Sequence, residues 1–189
     1  MKRRDVLVAL AAAPLGAAAL AWTRLGSAAA AKPAALTEIQ QNWQTLLAKG
    51  ADVAQTTAPL QRTEAEWKQS LAEPQFGVLR KEATERPFSS ALNGEHRAGV
   101  FVCAGCTLPL FTSQMKFESG TGWPSFFTSI PDHLATKQDH QLILPRTEYH
   151  CARCGGHQGH MFDDGPAPTG QRWCNNGLAL KFIPTTGKA

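Results

Sequence analysis

Apolar residues recur at helical spacing in two segments of the N-terminal part of the chain. The first predicted helix has a capping-box pattern, apolar positions and a glycine stop: Thr37-x-x-Gln40, Ile39, Trp43, Leu46, Leu47 and Gly50. The second has the same organisation and is predicted to end at a proline: Thr63-x-x-Glu66, Trp67, Leu71 and Pro74. We expect both helices to pack against the body of the protein and to carry no catalytic group.

From Gly77 onward the pattern changes to short strand-like runs that are separated by glycine and proline. The predicted strands cover residues 99–102, 108–111, 141–144, 147–149, 171–173 and 178–182. Regular strand spacing without intervening helices favours antiparallel sheets over a βαβ fold. The sequence therefore predicts a mainly β (α+β) fold with N-terminal helices.

The first 31 residues have the organisation of an export signal. The basic segment Lys2-Arg3-Arg4 precedes an apolar, alanine-rich run over 6–22, and small residues with overlapping A-x-A cleavage patterns follow. The adjacent arginines resemble a twin-arginine signal. The alternative is a short uncleaved membrane anchor, because the apolar run is at the lower limit for spanning a bilayer. In both cases we expect the body to lie beyond the membrane, in a bacterial periplasm.

Length and composition fit one ordinary domain with appendages. The chain has 189 residues, of which 43% are apolar and 18% charged, so a packed core is expected. Without the four basic residues and one acidic residue of the leader, 15 basic and 14 acidic residues remain. This near-neutral body excludes an electrostatic nucleic-acid interface. We predict an export signal over 1–31, a linker and helix over 32–62, and one domain over 63–185, with no feature that indicates assembly beyond a monomer.

Two C-x-x-C pairs predict a metal site. In each pair the two-residue spacer allows a tight turn to direct both sulfurs at one point, and two such turns complete a tetrahedral thiolate site for one structural zinc ion. The four predicted ligands are Cys103, Cys106, Cys151 and Cys154. Gly105 and Gly155 are expected to supply the backbone freedom of these turns. Two disulfides or a redox dithiol are the alternatives, and an oxidising compartment favours disulfides.

The fifth cysteine, Cys174, is a candidate nucleophile. An odd cysteine in an exported protein is a reactive thiol, an intermolecular partner or a core residue. Arg172 is expected to favour its thiolate form. His157 and His160 can donate protons near neutral pH, and the carboxylates of the following Asp163 and Asp164 can orient the imidazoles. His157 could instead ligate metal, but four cysteines make that redundant.

A glycine-rich segment over 119–126 contains Trp123, which can form the wall of an apolar pocket. With this segment and the cysteine motifs, the chain resembles the B-type methionine sulfoxide reductases over residues 67–182. The resemblance rests on Val78-Leu79-Arg80, residues 84–89, both C-x-x-C pairs, residues 116–126, Arg146-Thr147-Glu148, residues 157–166 and residues 172–182. It implies a mainly antiparallel β fold, a zinc ion remote from the active site, and reduction of the R epimer of methionine sulfoxide in peptides and proteins.

The resemblance also implies roles for individual residues. Cys174 corresponds to the nucleophile that attacks the sulfoxide sulfur and becomes a sulfenic acid. The groups that hold and protonate the sulfoxide oxygen correspond to His157, His160 and Asn176. The substrate pocket and the residues that orient it correspond to Trp123, Phe162, Asp164 and Arg172.

One departure from the family pattern affects the catalytic cycle. Many members have a second, resolving cysteine at the position of Thr121, and the other four cysteines are predicted to bind zinc. We therefore expect an external thiol or a thioredoxin-like reductant to regenerate Cys174. The alternative functions are a catalytically inactive zinc-binding recognition module and a thiol-disulfide oxidoreductase that uses one C-x-x-C pair.

Overall fold

The computed structural model describes residues 33–140 and 145–185. The predicted export signal over 1–31 and the predicted strand over 141–144 lie outside the described residues. Among the helices that are described, none has the length and apolarity needed to cross a bilayer.

Two antiparallel sheets form the body of the described chain. Their strands are β1 (Gly99–Cys103), β2 (Pro109–Thr112), β3 (Lys116–Phe117), β4 (Ser125–Phe126), β5 (Leu134–Asp139), β6 (Arg146–Cys151), β7 (His157–Phe162), β8 (Arg172–Asn175) and β9 (Leu180–Pro184). One sheet has the order β2-β1-β9, and the other has the order β3-β4-β8-β7-β6-β5. The mainly β prediction is confirmed. The sequence pattern missed β3, β4, β5 and β7. The first two have only two residues each, and the polar residues of β5 and β7 do not alternate with apolar ones.

Within the described residues, three α-helices precede the sheets: α1 (Pro33–Gln41), α2 (Glu64–Ser70) and α3 (Glu73–Lys81). The same part of the chain has four short 3₁₀ turns, two before β1 at Asn42–Leu46 and Ala91–Gly94 and two between strands at Ser113–Met115 and Gly177–Ala179. The predicted capping box of α2 is present, since the Glu66 carboxylate accepts from the Thr63 N–H at 2.7 Å and the Thr63 hydroxyl accepts from the Glu66 N–H at 3.3 Å.

Three expectations about helix ends were wrong. The first helix does not extend to Gly50, because α1 ends at Gln41 and the 3₁₀ turn that follows it ends at Leu46. Thr37 lies inside α1 and does not cap it. Pro74 does not end the second helix but stands in the first turn of α3. A proline is tolerated there because the first N–H groups of a helix have no intrahelical acceptor, so its missing N–H costs nothing.

Aromatic residues from both sheets fill the space between them. Phe111 of β2 stacks on Phe126 of β4 with ring centroids 4.0 Å apart, and Tyr149 of β6 packs edge-on against Trp173 of β8 at 4.9 Å. A fully buried side chain of this size stabilises the fold by about 1.5–3 kcal/mol. Side chains alternate along a strand, so Trp173 points into this core and its neighbour Cys174 points to the opposite face of the sheet.

Candidate functional site

The four cysteines of the C-x-x-C pairs form one buried cluster. Their sulfur atoms all lie within 4.8 Å of one another. The two turns are equivalent, because the Thr107 N–H donates to the Cys103 carbonyl and the Gly155 N–H donates to the Cys151 carbonyl, both at 2.9 Å. Thr107 and Gly155 adopt positive φ, at 57° and 67°. Gly105 does not, so Thr107 is the left-handed residue of the first turn, and the expectation that Gly105 supplies the backbone freedom of this turn was wrong.

The cluster geometry fits a tetrahedral metal ion. Zinc–sulfur bonds of about 2.3 Å place tetrahedral ligands about 3.8 Å apart. Here the Cys103 and Cys154 sulfurs are 3.7 Å apart, and the Cys106 and Cys151 sulfurs are 3.5 Å apart. Each of these distances separates a cysteine of one C-x-x-C pair from a cysteine of the other. All four cysteines are free of disulfides. Hydrogen bonds from the other three thiols hold the pKa of Cys106 well below its ordinary value.

Cys174 lies in the middle of the larger sheet, on the face away from the core. Its register partners are Ser125 on β4 and His160 on β7. Directly opposed residues in antiparallel strands have neighbouring side chains on the same face. Gly159 allows β8 to approach β7 closely, since a Cβ at this position would overlap the Cys174 carbonyl oxygen.

A cavity of about 150 Å³ opens at this point of the sheet. It is lined by Thr84, Trp123, Arg146, Gly159, His160, Phe162, Cys174, Asn175 and Asn176. Trp123 is held by a hydrogen bond from its indole N–H to the Glu85 carbonyl at 3.2 Å. Five of the residues that the resemblance assigns to the site, Trp123, His160, Phe162, Cys174 and Asn176, therefore border one small, partly apolar space.

His160 is oriented by a carboxylate that the sequence analysis missed. Its Nε2 lies 2.8 Å from a carboxylate oxygen of Asp139, and the same oxygen accepts from Arg146 at 2.6 Å. Asp139 is 5% exposed. Burial lowers the pKa of His160 below its ordinary value, whereas the hydrogen bond with Asp139 raises it. The thiol of Cys174 thus has the His160 imidazole as its register partner, and the Asp139 carboxylate holds that imidazole.

His157 occupies a different position from His160. Its ring packs edge-on against the His160 ring at 5.6 Å between centroids, and it does not line the Cys174 cavity. Its Nδ1 is 2.8 Å from a carboxylate oxygen of Glu148. His157 and His160 are three positions apart, so a regular strand would direct their side chains to opposite faces. The shift in the β6–β7 register between Tyr149 and His150 brings both side chains to the same face. Asp139 and Glu148, not the expected Asp163 and Asp164, therefore orient the imidazoles.

Both polar ends of the Asn176 side chain are engaged by the protein. Its Oδ1 accepts from the Glu85 N–H, and its Nδ2 donates to the Gln158 carbonyl, each at 3.1 Å. Glu85 in turn accepts from the backbone N–H groups of Gly177 at 2.5 Å and Leu178 at 3.0 Å. The Asn176 side chain therefore links the loop around residue 85 to β7 at the edge of the cavity.

Arg172 interacts with both Cys174 and the apolar wall of the cavity. It forms a two-pronged ion pair with Asp164, at 2.8 and 2.9 Å, and its guanidinium lies 4.4 Å above the Phe162 ring. Burial raises the pKa of the Cys174 thiol above its ordinary value, while the charge of Arg172 lowers it. Arg172 therefore acts in the predicted direction, but burial is the larger effect.

A chain of hydroxyl groups approaches Cys174 from the glycine-rich segment. The Thr121 hydroxyl hydrogen-bonds to the Cys174 sulfur and lowers the pKa of this thiol. Ser119 connects Thr121 to Ser125, with oxygen–oxygen distances of 2.9 and 2.8 Å. Thr121, at the position that the resemblance assigns to a resolving cysteine, thus places a hydroxyl group beside Cys174.

Comparison with known proteins agrees with this arrangement. The SelR domain model matches residues 71–184. Proteins named peptide methionine sulfoxide reductase MsrB from Methanosarcina barkeri and Bradyrhizobium diazoefficiens are each 49% identical over 124 residues, which is 65% of this chain and 87% and 89% of theirs. The protein of that name from Methanosarcina mazei is 47% identical over 132 residues, or 68% of this chain and 94% of its own. The chain belongs to the B-type methionine sulfoxide reductase family.

Proposed function

We propose that this protein reduces the R epimer of methionine sulfoxide in peptides and proteins to methionine, with Cys174 as the nucleophile. The observation that carries the proposal is the pairing of Cys174 with His160 across β7 and β8, at a cavity that Trp123 borders. A thiol beside a proton donor and an aromatic wall matches a substrate with an electrophilic sulfur, a basic oxygen and a methyl group.

In the first step the Cys174 sulfur attacks the sulfoxide sulfur. The sulfoxide oxygen takes up a proton from His160, which the Asp139 carboxylate holds in position at 2.8 Å. The attack forms a bond between the two sulfurs, and the protonated oxygen then moves to the Cys174 sulfur as its bond to the substrate sulfur breaks. The sulfur–sulfur bond breaks in the same step and leaves its electron pair on the substrate sulfur, so methionine departs and Cys174 becomes a sulfenic acid. Arg172 and Thr121 favour the attacking thiolate, because both lower the pKa of Cys174 against the effect of burial.

An external thiol completes the cycle. One thiol displaces the hydroxyl of the sulfenic acid as water and forms a mixed disulfide, and a second thiol releases Cys174 and leaves with the first as a disulfide. The proposal is supported by Thr121, which cannot form a disulfide, and by the clustering of the other four cysteines. A thioredoxin-like dithiol fits this requirement. An internal disulfide between Cys174 and another cysteine during turnover would contradict it.

The reaction is tested with a peptide that contains each epimer of methionine sulfoxide and with excess dithiol. We expect turnover of the R form alone, and loss of turnover in Cys174→Ser. The variant must retain the melting temperature and metal content of the wild type, so that loss of activity reports on the nucleophile. Turnover of the S form would refute the assigned stereochemistry, and absence of turnover in folded protein would favour a binding module without catalysis.

The four-cysteine cluster is proposed to hold one zinc ion. Cys103, Cys106, Cys151 and Cys154 are soft ligands whose spacing suits tetrahedral Zn²⁺, and in this position the ion supplies structural cross-linking. The cysteines tie the end of β1 to the end of β6. One equivalent of zinc in the purified protein is the expected measurement, whereas active protein without metal would support the dithiol alternative.

The protein is further proposed to act in the periplasm, after export on its twin-arginine-like leader. The sequence pattern of residues 1–31 supports this proposal. Contact with the membrane is expected only if the leader is not cleaved. Cell fractionation of the wild type and of a variant with Arg3 and Arg4 replaced by lysine tests the route, and equal periplasmic amounts of both would refute it.

A further inference from the structure

Phe88 is an unusual surface residue. Its side chain is 72% exposed, and it is the one exposed large hydrophobic residue in the described part of the chain. Its backbone adopts φ +62°, in the left-handed region that bulky residues rarely adopt. Strain of this kind costs on the order of 1 kcal/mol, persists only where the surroundings impose it, and is frequent at binding sites.

Hydrogen bonds to the glycine-rich segment impose this conformation. The Phe88 N–H donates to the Gly122 carbonyl at 2.7 Å, and the Asn93 side chain donates to the same carbonyl at 2.9 Å. A Cβ at Gly122 would lie 2.8 Å from the Phe88 nitrogen and 3.0 Å from its ring. The Phe88 ring is therefore held against the residue that directly precedes Trp123.

The other end of the same loop borders the cavity. Thr84 lines the space above Cys174, and the Glu85 carbonyl receives the indole N–H of Trp123 at 3.2 Å. Consecutive Cα atoms are about 3.8 Å apart, so a polypeptide with its sulfoxide side chain in the cavity has its next residues within reach of Phe88. A fixed aromatic ring loses little conformational entropy on binding.

We propose that Phe88 is a docking contact for the substrate polypeptide, where it binds an apolar side chain next to the methionine sulfoxide. The inference rests on the proposed function and adds a preference for sequence around the oxidised residue. The substrate is the favoured partner because Phe88 is fixed to Gly122, the residue directly before Trp123, and Trp123 is assigned to the substrate methyl group. Free methionine sulfoxide fills the cavity but has no chain that can reach Phe88.

The test compares two peptides and a free amino acid in the wild type and in Phe88→Gly. The peptides carry methionine R-sulfoxide between leucines or between glycines, and the third substrate is free methionine R-sulfoxide. Glycine adopts φ +62° without strain, so this variant removes the ring and keeps the loop. We expect kcat/KM for the leucine peptide to fall about tenfold, with less than about a twofold change for the other two substrates. Phe88→Tyr keeps an aromatic ring and should retain the wild-type preference.

Each other outcome contradicts the inference. An equal loss on all three substrates would mean that Phe88 shapes the cavity, and unchanged kinetics would mean that it binds nothing in turnover. A higher KM for a thioredoxin-like reductant, with unchanged peptide kcat/KM, would assign Phe88 to the reductant. Absence of wild-type turnover on every substrate would refute the proposed function, and the inference with it.

Discussion

The contact between Asp139 and His160 gives the sharpest prediction about catalysis. Asp139→Asn keeps the shape of the side chain but removes the charge that faces His160 at 2.8 Å and Arg146 at 2.6 Å. A hydrogen bond to a charged group contributes about 1.5–3 kcal/mol. If the hydrogen bond to Asp139 stabilises protonated His160 by this amount during proton transfer, loss of that bond lowers kcat/KM by about 10- to 150-fold.

The loss should increase with pH, because His160 donates its proton only while it is protonated. Burial already lowers the pKa of His160, and Asp139 opposes that effect, while Arg146 and His157 add to the lowering. Removal of the Asp139 charge therefore lowers the pKa further, and the alkaline limb of the activity profile moves to lower pH. At low pH, where His160 is protonated in both proteins, the two rates should approach each other.

The assay is the pH dependence of kcat/KM on a methionine R-sulfoxide peptide with a chemical dithiol. Asp163→Asn makes the same chemical change at an exposed carboxylate and serves as the matched control. Melting temperatures verify that both variants are folded. An Asp139→Asn profile that coincides with the wild type, or a loss that is the same at every pH, would refute the role of the carboxylate in proton donation.

Three other substitutions test the metal cluster, the thiol environment and the sheet. Cys106→Ser is expected to lose zinc and much of its thermal stability, because structural zinc sites contribute on the order of 10 kcal/mol to the free energy of folding. Metal analysis and thermal unfolding check this expectation, and an unchanged zinc content would contradict the proposed ligand set. Thr121→Val should raise the pKa of Cys174, measured by the pH dependence of alkylation, whereas Thr121→Ser should not; identical curves for valine and wild type would refute the hydrogen bond. Gly159→Ala should destabilise the protein by about 3 kcal/mol in urea unfolding, since its methyl group would overlap β8; wild-type stability would show that β7 and β8 can separate at no cost.

The sequence by itself determined the features that depend on local chemistry. The capping box of Thr63 and Glu66 involves residues three positions apart, and it forms as the pattern predicts. Each C-x-x-C pair forms its turn from a few neighbouring residues. The apolar pattern also located β1, β2 and β9 to within two residues, because these strands face a packed core.

Only the tertiary structure decided which distant groups meet. Asp139 and His160 are 21 positions apart, and no local pattern distinguishes this aspartate from Asp163 or Asp164. Asn176 and Glu85 are 91 positions apart. No local pattern could therefore predict that the protein itself engages both the oxygen and the nitrogen of the Asn176 amide. Pro74 lies in the first turn of α3 and not at the end of α2, because α2 already ends at Ser70. Strand register and chain direction set these contacts, and both follow from packing of the whole core, since a shift of one residue would turn Cys174 into the interior and Trp173 out of it.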